Sequence, residues 1–76
     1  MSEDTPVVLE VTLLSGAVLR SVLLRERGEL MTASALVAKP GNYGSVHFID
    51  EQGAQVSVPM ERVDYLRCVP QPRERS

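Results

Sequence analysis

The sequence predicts an all-β fold, a small and strongly bent antiparallel barrel of five or six short strands. Three observations support this prediction. Apolar and polar side chains alternate along several strand-length segments. Glycine- or proline-containing turns separate these segments. The chain has 76 residues, enough for one small domain, and closing its sheet into a barrel would remove exposed strand edges.

The first predicted hairpin joins strands Val7–Leu14 and Ala17–Arg25. Gly16 between them can adopt the positive φ of a tight turn. The second strand is apolar on both sides, which is typical of a strand that is buried on both faces or bends sharply. A helix over Ala17–Glu29 is the alternative, because leucine, arginine and glutamate are good helix formers. Residues 1–6 are polar, end in proline and are expected to form a loose lead-in.

The middle of the chain is the most ambiguous part. The polar segment Glu26–Glu29 contains Gly28 and is predicted to be a turn. Alanine and leucine in Leu30–Ala38 favour a helix. The length of that segment, between Gly28 and the strong loop signal of Lys39–Gly44, favours a strand instead. We therefore expect a strand over Leu30–Ala38.

In the C-terminal half of the chain, the sequence pattern predicts a second hairpin and a last strand. Strands Ser45–Asp50 and Ala54–Val58 alternate regularly and flank the turn Glu51–Gly53. Pro59–Arg62 can form a single 3₁₀ turn, since proline is tolerated at the first position of such a turn. The last strand is predicted over Val63–Val69.

Composition limits the domain organisation and the environment of the chain. We expect one domain over residues 7–69, followed by a charged, disordered tail over residues 70–76. Cys68 is the only cysteine and His47 the only histidine, so a disulfide within the chain and a zinc site are not expected. A free thiol and no export signal or membrane span favour the cytoplasm. A chain this small without such stabilising links is expected to be a homo-oligomer, and its net charge of −2 argues against duplex DNA as a partner.

The pattern of the first hairpin, the run from Val11 to Leu23, resembles the first signature of the Sm-like family, which includes the Hfq-type RNA chaperones. Met31-Thr32 falls where that family often carries Met-Asn in an RNA-contacting loop. The apolar positions of the second signature correspond to Val58, Val63, Tyr65 and Leu66. The resemblance implies a five-stranded barrel with a strongly bent second strand. An SH3-like barrel is also compatible, because it too has a short 3₁₀ turn before its last strand.

The chain departs from the Sm-like pattern at several positions. Ser21 stands where the bent strand usually has glycine, Gly28 where the loop has aspartate, and Thr32 where it has asparagine. Pro59-Met60 replaces the Arg-Gly pair of the second signature, and the Lys-His pair of the Hfq type is missing. The resemblance therefore bears on the fold more than on RNA binding.

Catalysis and cofactor binding are not expected. His47 lies between two apolar residues and has no partner base or nucleophile at a suitable spacing. Cys68 in an apolar strand is typical of a buried, inert thiol. The acidic pairs Asp50-Glu51 and Glu61/Asp64 lie at predicted turns, where solvated carboxylates are common. We therefore predict that the protein is not an enzyme and has no metal or cofactor.

Two groups of residues are candidates for intermolecular contacts. The candidate contacts with a protein partner or RNA are aromatic, basic or polar side chains in predicted loops and strand surfaces: Tyr43, Arg25, Arg27, Thr32, His47 and Arg62. The candidate oligomer face is apolar, because one small chain cannot cover both sides of its middle strand: Leu30, Met31, Leu36 and Val37.

The predicted function is that of a non-catalytic small-barrel module that self-associates and binds a macromolecular partner, in an adaptor or assembly role. The first alternative is an Sm-like ring that binds single-stranded RNA. The second alternative is small-molecule binding at a subunit interface.

Overall fold

The structure, a computed structural model, describes residues 5–71 as a β-rich fold with five strands and one α-helix. The strands are β1 (Val7–Leu13), β2 (Val18–Arg20), β3 (Ser45–Ile49), β4 (Gln55–Pro59) and β5 (Val63–Pro70). The helix is α1 (Arg27–Ala38), and two 3₁₀ turns cover Pro40–Asn42 and Met60–Arg62. The strands form two antiparallel sheets in the orders β2-β1-β5 and β3-β4. Within residues 5–71 these ladders do not close into a barrel.

The first hairpin confirms the predicted turn. Gly16 has a φ of 97°, a left-handed conformation that glycine adopts without a steric cost. β1 ends one residue earlier than predicted. β2 is much shorter than the predicted strand Ala17–Arg25, because its ladder with β1 ends at Arg20. The alternative of a helix starting at Ala17 is wrong, since Val18–Arg20 is a strand.

The chain bends at Ser21, immediately after β2. The backbone N–H of Ser21 still donates to the carbonyl of Leu9 at 2.9 Å, as in a regular ladder. The N–H of Leu9, however, donates to the Ser21 hydroxyl oxygen at 2.9 Å, and that hydroxyl donates to the carbonyl of Val22 at 2.7 Å. The hydroxyl of Ser21 thus takes over the acceptor role of its own carbonyl. The strand can therefore turn away from β1 without leaving a buried N–H unpaired.

After the bend the chain reaches the second sheet. Ser21 forms an isolated bridge with Asp50, and the N–H of Val22 donates to the carbonyl of Ile49 at 2.8 Å. Leu24 then returns to pair with Val7 at the start of β1. These contacts link the two sheets to each other, in addition to the ladders within each sheet.

The strand predicted over Leu30–Ala38 is wrong, because α1 covers this segment. The turn predicted over Glu26–Glu29 is also wrong from Arg27 onward, because α1 begins at Arg27 with Glu26 as its N-cap. The Glu29 carboxylate accepts long hydrogen bonds of 3.4 Å from the N–H groups of Arg25 and Glu26. An acidic side chain in the first turn also interacts favourably with the helix dipole. These interactions favour the start of the helix, whereas Gly28 in its first turn weakens it.

The C-terminal predictions are largely confirmed. β3 and β4 form the second hairpin within one residue of the predicted bounds, and Gly53 in the turn has a φ of 89°. The 3₁₀ turn precedes the last strand as expected. β5 extends to Pro70, which pairs with Val7, so the tail does not begin at residue 70. The remaining predictions for the lead-in and the tail concern residues 1–4 and 72–76, which lie outside the described residues.

One hydrophobic core receives side chains from both sheets and the helix. Its buried members are Leu9, Val11, Leu36, Val46, Val58 and Leu66. Ala33 and Leu36 are three residues apart and lie on the buried side of α1. Leu36 is therefore a core residue, and its side chain is not exposed on the surface of the single chain. Among residues 5–71 the longest helix has 12 residues, too few to cross a lipid bilayer.

We predict that Ser21→Ala lowers the free energy of unfolding by about 1–3 kcal/mol, because it leaves the buried N–H of Leu9 without an acceptor. Urea unfolding followed by circular dichroism measures this change. Ser57→Ala removes an exposed serine hydroxyl and is the control, with an expected effect within about 0.5 kcal/mol. Equal effects of the two substitutions would contradict the role assigned to the Ser21 hydroxyl.

Candidate binding surface on the three-stranded sheet

The solvent-facing side of the three-stranded sheet carries an ion-pair row across β2, β1 and β5. The register places Glu10 opposite both Arg20 and Arg67. The Nε of Arg67 lies 2.7 Å from Oε1 of Glu10, and a terminal nitrogen of Arg20 lies 3.1 Å from Oε2. Glu10 is only 7% exposed, although its neighbours Leu9 and Val11 occupy the core side of the same strand. The two guanidinium groups therefore cover the carboxylate on the solvent side.

The arginines remain available to a further partner. Their side chains are 56% and 58% exposed for Arg20 and Arg67, respectively. Arg67 uses its Nε for Glu10, and the hydrogen bonds within residues 5–71 leave its terminal nitrogens without a protein acceptor. One carboxylate thus holds two guanidinium groups in fixed positions while donors of both still face solvent.

The ion-pair row shifts the pKa values of its members. The hydrogen bond from Arg67 lowers the pKa of Glu10, and the positive charges of Arg67 and Arg20 lower it further against the opposing effect of desolvation. The same hydrogen bond raises the pKa of Arg67. Glu10 is therefore held in its ionised form.

A second row lies next to the ion pairs. The register places Thr12 between Val18 on β2 and Tyr65 on β5. Val18 and Tyr65 are each 52% exposed, whereas Thr12 is half-buried. We call the solvent-facing side of this sheet the outer sheet face. It consists of Val8, Glu10, Thr12, Val18, Arg20, Tyr65, Arg67 and Val69.

The predicted contact residues do not form one cluster. Tyr43 and Arg62 lie near the same end of the molecule, since Gly44 accepts a hydrogen bond from Met60 in the turn that contains Arg62. Arg25 and Arg27 lie at the start of α1, and Tyr43 follows its end. A 12-residue helix is ~18 Å long, which separates these arginines from Tyr43.

His47 and Thr32 occupy two further surfaces. His47 is exposed on β3, with its Nε2 at 2.9 Å from the hydroxyl oxygen of Ser45. Thr32 is exposed on α1. Nothing in the geometry joins either residue to Tyr43 or to the arginines.

The predicted oligomer face is divided by the helix. Leu30 and Met31 line a shallow depression on α1 together with Arg27 and Ser34. Met31 is 65% exposed, whereas Val37 packs partly against the core. Of the predicted face, Leu30 and Met31 are therefore the residues on an accessible surface depression.

The sequence contained part of the signal for the outer sheet face. Tyr65 and Arg67 are two residues apart in a predicted strand, so a shared face was evident. The missing information was the register that sets Glu10 opposite Arg67, 57 residues later. The pairing of Arg20 with Glu10 and the position of Val18 opposite Thr12 follow from the register of β2 on β1.

Other chemical groups are arranged as follows. Cys68 packs against the core. This burial disfavours the charged thiolate and so raises the pKa of the thiol. Within residues 5–71 no three His, Cys, Asp or Glu side chains are grouped so that they could hold a metal ion.

Comparisons with known proteins leave the family open. No protein-family model matches the chain, and no curated protein or solved structure is significantly similar to it.

We predict that Glu10→Gln makes the stability of the fold less dependent on pH in the acidic range. The pKa of Glu10 in the folded state lies below its ordinary value of 4.5. Its stabilising contribution is thus complete above that value and is lost as the pH falls through the folded pKa. Urea midpoints measured between about pH 7 and pH 3 should fall less steeply for Glu10→Gln than for the unsubstituted chain.

Glu61→Gln is the matched control, because Glu61 is an exposed carboxylate in a 3₁₀ turn. It should leave more of the acid-dependent loss of stability in place than Glu10→Gln does. Identical pH profiles for Glu10→Gln and the unsubstituted chain would show that the ion-pair row does not stabilise the fold.

Proposed function

We propose that this chain is a non-catalytic small-barrel module that assembles with copies of itself and binds a macromolecular partner, as an adaptor or assembly subunit. The observation that carries the proposal is a pair of open strand edges. Within residues 5–71, β4 pairs only with β3, and β5 pairs only with β1. Unpaired edges are templates for pairing with another chain.

The hydrogen-bond alternation identifies the open groups of β4. The backbone N–H of Asp50 donates to the carbonyl of Ala54, and the backbone N–H of Met60 donates to the carbonyl of Gly44. The even-numbered residues of β4 therefore form the backbone hydrogen bonds to β3. The N–H groups of Gln55 and Ser57 therefore point to the open edge. Pro59 has no N–H and shortens this edge.

The open groups of β5 follow from the same argument. The backbone N–H of Gln71 donates to the carbonyl of Pro6, so the odd-numbered residues of β5 form the backbone hydrogen bonds to β1. The N–H groups of Leu66 and Cys68 then point away from β1. Each molecule thus offers two N–H groups on β4 and two on β5. Pairing β4 of one copy with β5 of the next is a head-to-tail contact, which generates a ring or a filament.

Two contacts between the sheets support a small barrel of the Sm-like or SH3-like kind. The bridge between Ser21 and Asp50 and the hydrogen bond from Val22 to Ile49 connect the end of β2 to the end of β3. With them, the strands follow the order β5-β1-β2-β3-β4 around one shared core. In this arrangement the remaining opening lies between β4 and β5, where a second copy would add its strand.

One observation favours single-stranded RNA as a second candidate partner. Tyr43 is 37% exposed near the turn that carries Arg62, which combines an aromatic ring for stacking with a cation for phosphate. If RNA binds there, the double substitution Tyr43→Ala and Arg62→Gln should weaken binding of a ten-nucleotide oligo-U about tenfold or more, measured by fluorescence anisotropy. Unchanged affinity would remove this candidate.

We predict that the full chain sediments as an oligomer at micromolar concentration and that Ser57→Pro shifts it towards the monomer. Proline removes an N–H from the open edge of β4 without removing one that bonds to β3. Ser57→Ala retains the N–H and should sediment like the unsubstituted chain. Sedimentation velocity of the three proteins measures this.

A monomeric unsubstituted chain would overturn the self-association. An oligomer that Ser57→Pro leaves intact would place the interface elsewhere. Circular dichroism of Ser57→Pro must show the same β content as Ser57→Ala, so that loss of assembly is not loss of fold.

A further inference from the structure

The outer sheet face presents two different rows at a regular spacing. The apolar row of Val18, Thr12 and Tyr65 lies two residues along β1 from the ion-pair row of Arg20, Glu10 and Arg67. Two residues of a strand span ~6.8 Å, and the outer strands β2 and β5 lie ~10 Å apart. An extended peptide has the same two-residue spacing between side chains on one side.

The ion-pair row fits a carboxylate. Arg20 and Arg67 carry two positive charges, and Glu10 compensates for one of them. The guanidinium groups are already held by Glu10, at 3.1 and 2.7 Å, so a ligand does not have to order them. Their remaining N–H donors face solvent and can form charge-assisted hydrogen bonds to an acidic side chain.

The neighbouring row fits an apolar side chain. Val18 and Tyr65 are both half-exposed, with the half-buried Thr12 between them. The tyrosine ring supplies a large contact area at a small cost in conformational entropy. A side chain placed over Thr12 would contact both Val18 and Tyr65.

The charge of this face favours a peptide over nucleic acid or a second copy. Nucleic-acid affinity comes mainly from neutralising several phosphates, whereas this row has a net charge of about +1. Two copies placed face to face would bring their arginine rows together, which like charges oppose.

We propose that the outer sheet face binds an extended acidic segment of a protein partner, in which an apolar residue and a carboxylate are two residues apart. The apolar side chain packs between Val18 and Tyr65, and the carboxylate accepts hydrogen bonds from Arg20 and Arg67. This proposal rests on the proposed function as a binding module and names the chemistry of its partner.

The test uses the full chain and a fluorescent ten-residue peptide that repeats valine, serine, glutamate and serine. Anisotropy gives the affinity, and amide chemical shifts of the ¹⁵N-labelled protein locate the site. We expect shifts within residues 8–12, 18–20 and 65–69. A peptide with lysine in place of glutamate should bind at least about tenfold more weakly.

Matched variants distinguish the outer sheet face from the surface that carries Tyr43 and Arg62. Tyr65→Ser and Arg20→Gln should each weaken binding of the acidic peptide about tenfold, whereas Tyr43→Ser and Arg62→Gln should leave it unchanged. Arg20→Lys keeps the positive charge and should retain more affinity than Arg20→Gln.

Several outcomes would overturn the proposal. They are no binding at millimolar peptide, affinity unaffected by Tyr65→Ser and Arg20→Gln, or shifts confined to the open edges of β4 and β5. Tighter binding of ten-nucleotide oligo-U to this face would assign it to nucleic acid instead. Sedimentation of the same samples measures self-association separately. An oligomer that does not bind the peptide would therefore overturn this inference but not the proposed self-association.

Discussion

The hydroxyl of Ser21 is the constraint on which the arrangement of the two sheets depends. A strand that leaves its ladder must leave one N–H of its neighbour unpaired, and inside a core that is costly. Here the buried N–H of Leu9 changes its acceptor from a carbonyl to the Ser21 hydroxyl, at 2.9 Å. The backbone of Ser21 is then free to turn, and Val22 pairs with Ile49 in the other sheet. A glycine at this position would permit the same turn but would offer Leu9 no side-chain acceptor.

The position of the helix follows from this bend. Once the chain has crossed to the second sheet and returned to Val7 through Leu24, α1 begins three residues later, at Arg27. It then packs Ala33 and Leu36 into the core and contacts β5. The apolar surface left open by such short sheets is thus partly covered by a helix.

The sequence predicts the hairpins well because their signals are local. Gly16 and Gly53 each mark a turn that requires a positive φ, and alternation on both sides defines the strands. The sequence does not predict the helix, because Gly28 among polar residues is also typical of a turn. The spacing of Leu30, Ala33 and Leu36 and the acidic Glu29 in the first turn were helix signals, but they compete with the equally local signals of a short strand.

The candidate surface could not be predicted in the same way. Alternation tells which side of β5 carries Tyr65 and Arg67, but not which residue of β1 lies opposite them. That register depends on contacts between residues more than fifty positions apart, and on the irregularity between Thr12 and Leu13. A shift of one residue between β1 and β5 would move Glu10 away from Arg67. Local pattern alone therefore supports a fold class but not this ion-pair row.

The alternation along β5 also makes the two proposed interactions compatible. Tyr65 and Arg67 bond to β1 through their backbones and direct their side chains to the outer sheet face. Leu66 and Cys68 do the opposite, with side chains towards the core and N–H groups towards the open edge. A second copy that pairs with this edge would engage the even-numbered residues, and a peptide on the face would contact the odd-numbered ones. Assembly through β5 would therefore leave the outer sheet face accessible, and it would place the exposed side chains of the partner's added strand beside Tyr65 and Arg67.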